Sequence, residues 1–372
     1  MEPLKNKNSL MLCLLLMLGT LVACPLAVQG YTYTLDADFD MGTMVNVNHD
    51  APNNDQLQLN WLTEPFPFVN IACSARGTIV RIDVNTGAVL GEYRSAPQGR
   101  GRDPSRTTVD LYGNVWAGNR AEAGGGKGSA VKIGLVVGGT RCDSDGTPNP
   151  AGQYLAPPFH YNTCVDRDSD GLIKTSRGLG NILPWPDVTD GAGGFTGIVE
   201  DAEDEAILIY QRVNGDHVRH VSVDASNHVW VGGHFGADNS FDLLHGDTGQ
   251  ILASFDVGDG GYGGLVDGNK VLWSADRMGT FTVLRYDTKG TITTADDTWS
   301  LLDAPNAYGL GIDSSGNIWN AQYSSNQIRK FNSAGMLLGV FPTGGASNDR
   351  GVAVTPVDDD VWVANSAGND VS

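Results

Sequence analysis

The chain has 372 residues, of which 49 are Gly and 16 are Pro, and its formal net charge at pH 7 is -19. Hydrophobic residues make up 41% of it, which excludes wholesale disorder, and the glycines follow no G-X-Y period, which excludes collagen. The excess of acids argues against nucleic acid as a partner, because binding to phosphates needs clustered Lys and Arg. The composition therefore indicates a large folded protein with no nucleic-acid partner.

The first 30 residues have the pattern of an export signal. Lys5 and Lys7 precede an apolar run over residues 10–18, which is too short for a membrane-spanning helix. Two cleavage sites stay open. The segment Leu21-Val22-Ala23-Cys24 resembles a bacterial lipobox, which would leave Cys24 as a lipidated N-terminus, whereas Val28-Gln29-Gly30 suits an ordinary signal peptidase. We expect an exported protein, periplasmic or extracellular, and on the first alternative a cell-envelope lipoprotein whose lipid is its only membrane contact.

Three cysteines remain after removal of either signal segment, apart from Cys24 itself. Cys142 and Cys164 flank one loop-rich insertion, and an exported protein can form disulfides, so we predict that these two pair. Cys73 lies within an apolar strand pattern, and we expect it to be a buried free thiol.

One phrase recurs along the chain: an apolar residue and Asp, a short turn, then an apolar residue and Trp. Its copies end at Trp116, Trp230, Trp273, Trp319 and Trp362, and the last four are separated by 43, 46 and 43 residues. Each copy is typical of a tight β-hairpin, because Asp-x-x-Gly-Asn supplies turn residues and the flanks alternate as strands. Two further strands follow in most copies. Four short strands in about 45 residues are the signature of a β-propeller blade.

The repeat predicts an all-β protein, a β-propeller of about six four-stranded blades that occupies residues 57–372. The blades are expected at about 57–94, 103–214, 217–257, 261–303, 306–342 and 348–372, with a loop-rich insertion at 135–205 in the second. Leu57–Leu59 is the candidate inner strand of the first blade. The last blade holds two clear strands. Either the N-terminal segment 31–56 supplies strands that close the ring, or the chain is a piece of a longer, seven-bladed parent that continues past Ser372. The repeat tryptophans should pack in the core between blades.

The repeat phrases resemble those of the NHL-repeat and streptogramin (virginiamycin B) lyase-like bacterial propellers. The resemblance lies in the Asp-x-x-Gly-Asn-Ile/Val-Trp phrases that end at Trp116 and Trp319 and in their relatives, which cover most of residues 68–372. The resemblance implies the propeller fold. The lyase of that group uses His and Glu side chains near the axis with a magnesium ion. The strand ends after the tryptophans of this chain, Gly233-His234, Asp276-Arg277 and Gln322-Tyr323, do not reproduce that set.

The insertion contains the start of an EF-hand-like calcium loop, D-x-D-x-D-G. Its carboxylates at positions 1, 3 and 5 and its carbonyl at position 7 would bind one ion; these are Asp166, Asp168, Asp170 and Leu172. The twelfth position is Arg177, where an EF-hand needs Glu, so a distant acid has to close the shell, and the candidates are Glu203, Asp204 and Glu205. We predict a structural Ca²⁺ site. The stretch Asp143-Ser144-Asp145-Gly146 is a shorter echo and a second candidate.

Propellers usually bind ligands on the face where loops lead into the innermost strands. Alignment of the phrases places Ser105, Arg219, Tyr262, Tyr308 and Arg350 at equivalent positions before these strands. The residues that follow each Trp strand should share that face, among them Asn119, Arg120, His234, Arg277, Tyr323 and Asn365. Converging Arg and Tyr suit an anionic or sugar-like ligand, through bidentate hydrogen bonds and ring stacking. The alternative is that these groups pair with Asp267, Asp276 or backbone carbonyls and only fill the channel.

Three functions stay open. The first is a non-enzymatic exported propeller that binds an anionic or carbohydrate ligand, or a cell-surface protein, at the cell envelope. The second is a metal-dependent lyase or lactonase with its site on the axial face, for which Mg²⁺ would be the cofactor. The third is a structural module of a larger surface protein. An enzyme would bring carboxylates or histidines together around a metal on the axis, whereas a binder would place mainly Arg, Tyr and Asn there.

Overall fold

The computed structural model describes residues 35–40, 47–49, 55–59, 66–121, 126–136, 141–142, 148–149, 163–187, 199–234, 236, 238–277, 282–344 and 348–372. The chain divides into two compact units, Met1–Pro65 and Phe66–Ser372. In the first unit, the described residues form helix α1 (Asp36–Phe39) and an antiparallel pair of strands, β1 (Val47–Asn48) and β2 (Gln58–Leu59). None of the helices among the described residues has the length and apolar character needed to cross a membrane.

The second unit consists of six antiparallel sheets that follow one another along the chain as the blades of a β-propeller. Blade one contains β3 (Phe68–Cys73), β4 (Thr78–Asp83) and β5 (Val89–Arg94). Blade two contains β6 (Pro104–Val109), β7 (Val115–Asn119), β8 (Lys127–Ile133) and β12 (Ile207–Asp216). Blade three contains β13 (His220–Val223), β14 (Val229–Gly232), β15 (Phe241–Leu244) and β16 (Ile251–Phe255).

The remaining blades repeat this order. Blade four contains β17 (Gly263–Val266), β18 (Val271–Ala275), β19 (Thr282–Asp287) and β20 (Thr298–Asp303), with a 3-10 turn at Thr294–Asp296. Blade five contains β21 (Ala307–Ile312), β22 (Ile318–Gln322), β23 (Gln327–Phe331) and β24 (Leu337–Pro342). Blade six contains β25 (Asp349–Val354), β26 (Val361–Asn365) and β27 (Asp370–Val371). The predicted all-β fold with six blades is confirmed; four blades have four strands, and blades one and six have three each among the described residues.

The insertion of blade two lies between β8 and β12. Within it, β9 (Arg141–Cys142), β10 (Pro148–Asn149) and β11 (Ile173–Lys174) form a small sheet, and a 3-10 turn spans Val199–Asp201. The insertion is anchored by Trp185, which is fully buried in the cluster that also holds Ile79, Val115 and Ile207. Its ring meets that of Tyr210 edge-on at 5.2 Å between centroids. This packing ties the insertion to the apolar core of the first two blades.

The recurring Asp closes the hairpin turns of blades two to five, and in blades four and five it also accepts the indole N–H of the recurring Trp. In blade four, Oδ1 of Asp267 accepts the backbone N–H groups of Asn269 and Val271, and Oδ2 accepts the indole N–H of Trp273 at 3.1 Å. The turn bonds recur at Asp110, Asp224 and Asp313. One aspartate therefore satisfies two backbone donors at the turn, which is why the phrase begins with this residue type.

The fourth residue of each of these turns takes the left-handed conformation. Gly113 and Gly316 have φ of 81° and 76°, and Asn227 and Lys270 hold the same position with φ of 63° and 61°. Gly and Asn are the residue types that adopt this conformation most readily, which explains the Asp-x-x-Gly-Asn form of the repeat.

The repeat tryptophans lie in the core as predicted, except near the end of the chain. Trp116 and Trp273 are fully buried and Trp230 is 2% exposed, whereas Trp362 of blade six is 48% exposed. The innermost strands β6, β13, β17, β21 and β25 contact one another in chain order. Trp319 of blade five is half-buried, so the burial of the repeat Trp decreases toward blade six.

Blade one differs from the expectation at its inner edge. In the turn between β4 and β5, the N–H of Gly87 donates to the carbonyl of Asp83. The turn between the last two strands of blade three has the same bond, from the N–H of Gly249 to the carbonyl of His245. By this comparison β3, β4 and β5 are the second to fourth strands of a blade. The candidate inner strand, Leu57–Leu59, falls in the first unit, where Gln58–Leu59 pairs with Val47–Asn48, and its place in blade one stays a prediction.

Candidate functional site

The innermost strands of blades two to six surround a cavity of about 180 Å³. Its wall is formed by side chains and glycines at the start of these strands, among them Arg106, Arg219, Gly263, Tyr308 and Gly351. The cavity lies on the face where the chain enters the innermost strands, which is the face that the repeat alignment selects.

Three tyrosines form a connected row at this face. The hydroxyl of Tyr262 donates to that of Tyr308 at 2.9 Å, and their ring centroids are 4.7 Å apart. Tyr323 stacks on Tyr308 at 5.7 Å, and the ring of His234 meets that of Tyr262 at 4.9 Å. Tyr262, Tyr308 and His234 are 6%, 9% and 3% exposed. The row is therefore a fixed wall.

Four guanidinium groups cover these rings. Arg106 lies over both Tyr262 and Tyr308, at 5.3 and 5.7 Å from the ring centroids, and Arg219 lies 4.8 Å from that of Tyr262. Arg277 lies 4.4 Å from the centroid of Tyr323, and Arg350 lies over Tyr308 and Tyr323 at 5.7 and 5.5 Å. Cation–π contacts of this kind hold guanidinium groups in place against the faces of aromatic rings.

Three arginines of this cluster have no acidic partner in the part of the chain that the structure describes. Among the described residues, no carboxylate forms an ion pair with Arg106, Arg219 or Arg350. The Nε atoms of Arg106 and Arg219 are buried without a hydrogen-bond partner in the same part of the chain, and Arg219 makes one long bond of 3.4 Å to the hydroxyl of Ser105. Such buried donors on charged groups cost free energy unless a partner meets them.

The pKa shifts of the cluster reflect this charge. Burial lowers the pKa of the Arg219 guanidinium, and the neighbouring charges of Arg120 and Arg106 lower it further. Hydrogen bonds from Arg350 and Arg277 lower the pKa of the Tyr323 phenol. Burial also lowers the pKa of His234, so its imidazole is neutral near pH 7. The face thus concentrates positive charge in a chain whose net charge is -19.

Most of the residues predicted for this face come together in the structure. Arg219, Tyr262, Tyr308, Arg350, Arg277, Tyr323 and His234 form the contacts above. Arg120 lies at the edge, where it forms an ion pair with Asp103, and Asn119 is buried against the carbonyl of Ser95. Of the two predicted acidic partners, Asp267 is bound to its own turn. Asp276 lies 3.8 Å from Nδ1 of His234, and the same nitrogen is 3.0 Å from the carbonyl oxygen of Gly260.

Arg106 is the residue of this site that the sequence comparison missed. The alignment selects Ser105, but the pairing of β6 with β7 shifts between Pro104 and Arg106, which is a β-bulge. A bulge adds one residue to a strand and re-aims the side chains beyond it. Pro104 at the start of β6 was the available signal, because proline in a strand often marks such a bulge.

The predicted calcium loop brings three carboxylates together. One carboxylate oxygen each from Asp166, Asp168 and Glu205 lie within 4.8 Å of one another. Because Ca²⁺–oxygen distances are about 2.3–2.6 Å, oxygens this close can share one ion. Asp170 lies in the same loop, with Oδ1 accepting the N–H of Leu172 at 2.8 Å. The donor set, carboxylate oxygens only, suits Ca²⁺.

Of the three candidate closing acids, Glu205 is the one that reaches the loop. Its carboxylate accepts the backbone N–H groups of Arg167 at 2.7 Å and Lys174 at 2.8 Å. Glu203 pairs with the ammonium of Lys174 at 3.2 Å, outside the group of three. Asp204 is buried and bound to the Thr175 and Ser176 hydroxyls at 2.8 and 2.6 Å. Of the three acids, Glu205 is therefore the candidate to replace the missing twelfth-position Glu, and the calcium site stays a prediction.

Several predicted features fall outside the described residues. These are the signal segment with Cys24, the Asp143–Gly146 echo, and the side chain of Cys142. The Cys142–Cys164 disulfide therefore stays a prediction. Cys73 is a free thiol and is half-buried rather than fully buried.

Comparison with known proteins gives similar structures and no similar sequences. No protein-family model and no curated protein matches the chain. A catalytically inactive virginiamycin B lyase from Staphylococcus aureus with quinupristin has a TM-score of 0.46 at 13% identity, over 83% of this chain and 82% of that one. A streptogramin B lyase has a TM-score of 0.46 at 14% identity, over 85% and 82%. A functionally unknown protein from Desulfotomaculum acetoxidans has a TM-score of 0.49 at 11% identity, over 82% and 78%.

These neighbours include proteins of the group that the repeat phrases resemble. Identities this low concern the fold alone, and nothing about the activity of this chain follows from them. The assignment of the fold rests on the strand order and register of the chain itself.

Proposed function

We propose that this protein is an exported, non-enzymatic β-propeller that binds an anionic small molecule at the mouth of its central channel. The observation that carries the proposal is the cluster of Arg106, Arg219 and Arg350, whose guanidinium groups have no carboxylate partner among the described residues. An acidic group placed between them would satisfy the buried donors and neutralise the local charge. A phosphate, a sulfate, a carboxylate or an acidic sugar each carries this chemistry.

The tyrosine row favours a ligand-binding site over a cluster of side chains that only fills the channel. Tyr262 and Tyr308 are bonded to each other through their hydroxyls and are rigid, so the arginines rest on a preformed surface. A preformed site loses little conformational entropy when it binds. Arginines that only filled the channel would be expected to pair with nearby acids, as Arg120 does with Asp103.

The alternative of a metal-dependent lyase or lactonase needs carboxylates or histidines around a metal on this face. Among the described residues, the one group of three such side chains that could share an ion is in the insertion, at Asp166, Asp168 and Glu205. The axial face presents mainly Arg and Tyr. This composition favours binding, and a lyase assay of the purified protein with and without Mg²⁺ separates the two functions.

The anion site is tested by calorimetry with inorganic sulfate and phosphate and with glucuronate. Arg219→Gln and Arg106→Gln should each weaken binding about 10- to 100-fold, since one charge-assisted hydrogen bond contributes about 1.5–3 kcal/mol. Arg329→Gln is the matched control, because Arg329 pairs with Asp303 outside the channel wall. Equal affinity in the wild type and both channel variants, or no binding of any of the three anions, would refute the proposal.

The proposal also includes a structural calcium ion at Asp166, Asp168 and Glu205, with Asp170 and the carbonyl of Leu172 as further ligands. Calcium would join the insertion loop to the segment that leads into β12, because Glu205 comes from that segment and the aspartates from the loop. Metal analysis of purified protein tests this directly. Export to the cell envelope rests on the signal pattern, and mass spectrometry of the mature N-terminus distinguishes a lipidated Cys24 from cleavage after residue 30.

A further inference from the structure

A second cavity, of about 430 Å³, adjoins the anion site along the innermost strands β6, β13 and β17. The two cavities share Thr107, Val221 and Gly264 in their walls, so the second begins where the first ends. Arg219 lines the first and Val223 the second. Four residues of extended chain separate these two side chains, which corresponds to roughly 13 Å.

The wall of the second cavity exposes apolar and polar surface in nearly equal parts, with slightly more apolar. Its apolar members are Val109, Leu111, Val221, Val223, Leu265 and Val266. Val109 and Leu111 are 48% and 65% exposed. Large apolar side chains grouped at a cavity and in contact with water indicate a surface that an apolar partner covers.

The polar groups in this wall already have partners. The hydroxyl of Ser222 is 2.7 Å from Nε2 of His220, and Asp224 accepts the N–H of Ser226 at 2.8 Å. Asp267 is bound to its turn and to Trp273. The two carboxylates put negative charge at this end of the channel, which disfavours a second acidic group there.

We propose that the ligand is an amphiphilic anion, with its acidic group between Arg106 and Arg219 and an unbranched apolar chain in the second cavity. The inference rests on the proposed anion site and adds the class of molecule that the site takes. A volume of about 430 Å³ is within the range of about 300–1,000 Å³ that small-molecule sites occupy. An acidic sugar has hydroxyls along its whole length, whereas the side chains of Ser222 and Asp267 in this wall are already bonded within the protein.

The test is calorimetry with inorganic sulfate and with ethyl, butyl, hexyl and octyl sulfate below their micelle concentrations. Each pair of methylenes that enters the cavity should tighten binding roughly tenfold, since one buried CH₂ contributes about 0.8 kcal/mol. The heat-capacity change of binding should become more negative with chain length. Glucuronate serves as the acidic-sugar probe.

Two variants separate the head from the chain. Leu111→Asp should weaken octyl sulfate at least tenfold and leave inorganic sulfate unchanged, because Leu111 lines only the second cavity. Arg219→Gln should weaken every member of the series by the same factor. Val357→Asp is the control, because Val357 is 95% exposed in a turn of blade six and lines neither cavity.

Each outcome decides one of the two proposals. If sulfate binding depends on Arg219 but affinity does not increase with the length of the alkyl chain, the proposal of an amphiphilic ligand is wrong and the proposal of an anion site stands. Tighter binding of glucuronate than of octyl sulfate also contradicts the amphiphilic ligand and leaves the anion site standing. Octyl sulfate affinity that is equal in the wild type, Leu111→Asp and Arg219→Gln shows adsorption elsewhere on the surface and overturns the inference. If no anion binds, both proposals fail.

Discussion

Removal of one ligand from the calcium loop should abolish most of the stability that calcium provides. Asp168→Asn is the informative change, because Asp168 is exposed and Oδ1 accepts one backbone N–H, that of Asp170 at 3.2 Å. Asn keeps an oxygen acceptor for that bond, so the metal-free protein should lose at most about 1 kcal/mol. Glu205→Gln is less clean, since that carboxylate accepts several backbone N–H groups.

The magnitude follows from mass action. An ion that binds only the folded state at a hundredfold its Kd adds about 2.7 kcal/mol to the free energy of unfolding. If the variant binds calcium a hundredfold more weakly, the same concentration adds only about 0.4 kcal/mol. The predicted loss of calcium-dependent stability is therefore about 2 kcal/mol, well above the cost in the metal-free protein.

The assay is urea unfolding of the wild type and the variant, each with calcium and with a chelator. Glu203→Gln is the matched control, because Glu203 lies two residues from Glu205 and pairs with Lys174 outside the group of three ligands. It should keep the full calcium effect. A wild type whose unfolding midpoint does not change with chelator, or an Asp168→Asn variant that gains as much from calcium as the wild type, would refute the site.

Two further predictions concern the propeller itself. Trp273→Ala should lower the free energy of unfolding by about 3–5 kcal/mol, because this side chain is fully buried. Trp362→Ala should lower it much less, because that side chain is 48% exposed. Equal losses for the two variants in urea unfolding would contradict the blade packing. Burial lowers the pKa of His220 to about 3, so the neutral imidazole contributes stability above pH about 6.5 that is lost as the pH falls toward 3. His220→Gln should flatten the fall of stability between these pH values, and an unchanged slope would show that His220 titrates normally.

The repeat phrase made much of the fold predictable. The spacing of Trp230, Trp273, Trp319 and Trp362 gives the blades, because each of these residues lies in the second strand of its blade. The pairing inside each hairpin follows from the turn, since the aspartate fixes which residues lie opposite. The turns of this family of hairpins are local structures, and local structures are what sequence patterns report best.

Features that depend on non-local geometry were harder to predict. Arg106 enters the channel because of a bulge, which shifts the register by one residue, and the phrase alignment has no means to show this shift. Glu205 reaches Asp166 across 39 positions of sequence, so three adjacent acids were equal candidates until their partners were known. The second cavity depends on three strands from three blades and has no motif of its own.

The axial face was predicted from one physical regularity. Residues at equivalent points of equivalent blades lie around one axis, so Arg219, Tyr262, Tyr308 and Arg350 had to meet if the blades form a ring. Their contacts confirm that they do. What the regularity leaves open is whether the arginines have acid partners, which depends on side chains from the loops between blades.

Anomalous diffraction from crystals soaked in selenate tests the anion site most directly, because selenate has the shape and charge of sulfate and selenium locates it. The account predicts a selenium peak within hydrogen-bond reach of both Arg106 and Arg219, against the tyrosine row, that disappears in Arg219→Gln crystals. Selenium peaks at other surface arginines, with none between these two in the wild type, would contradict it.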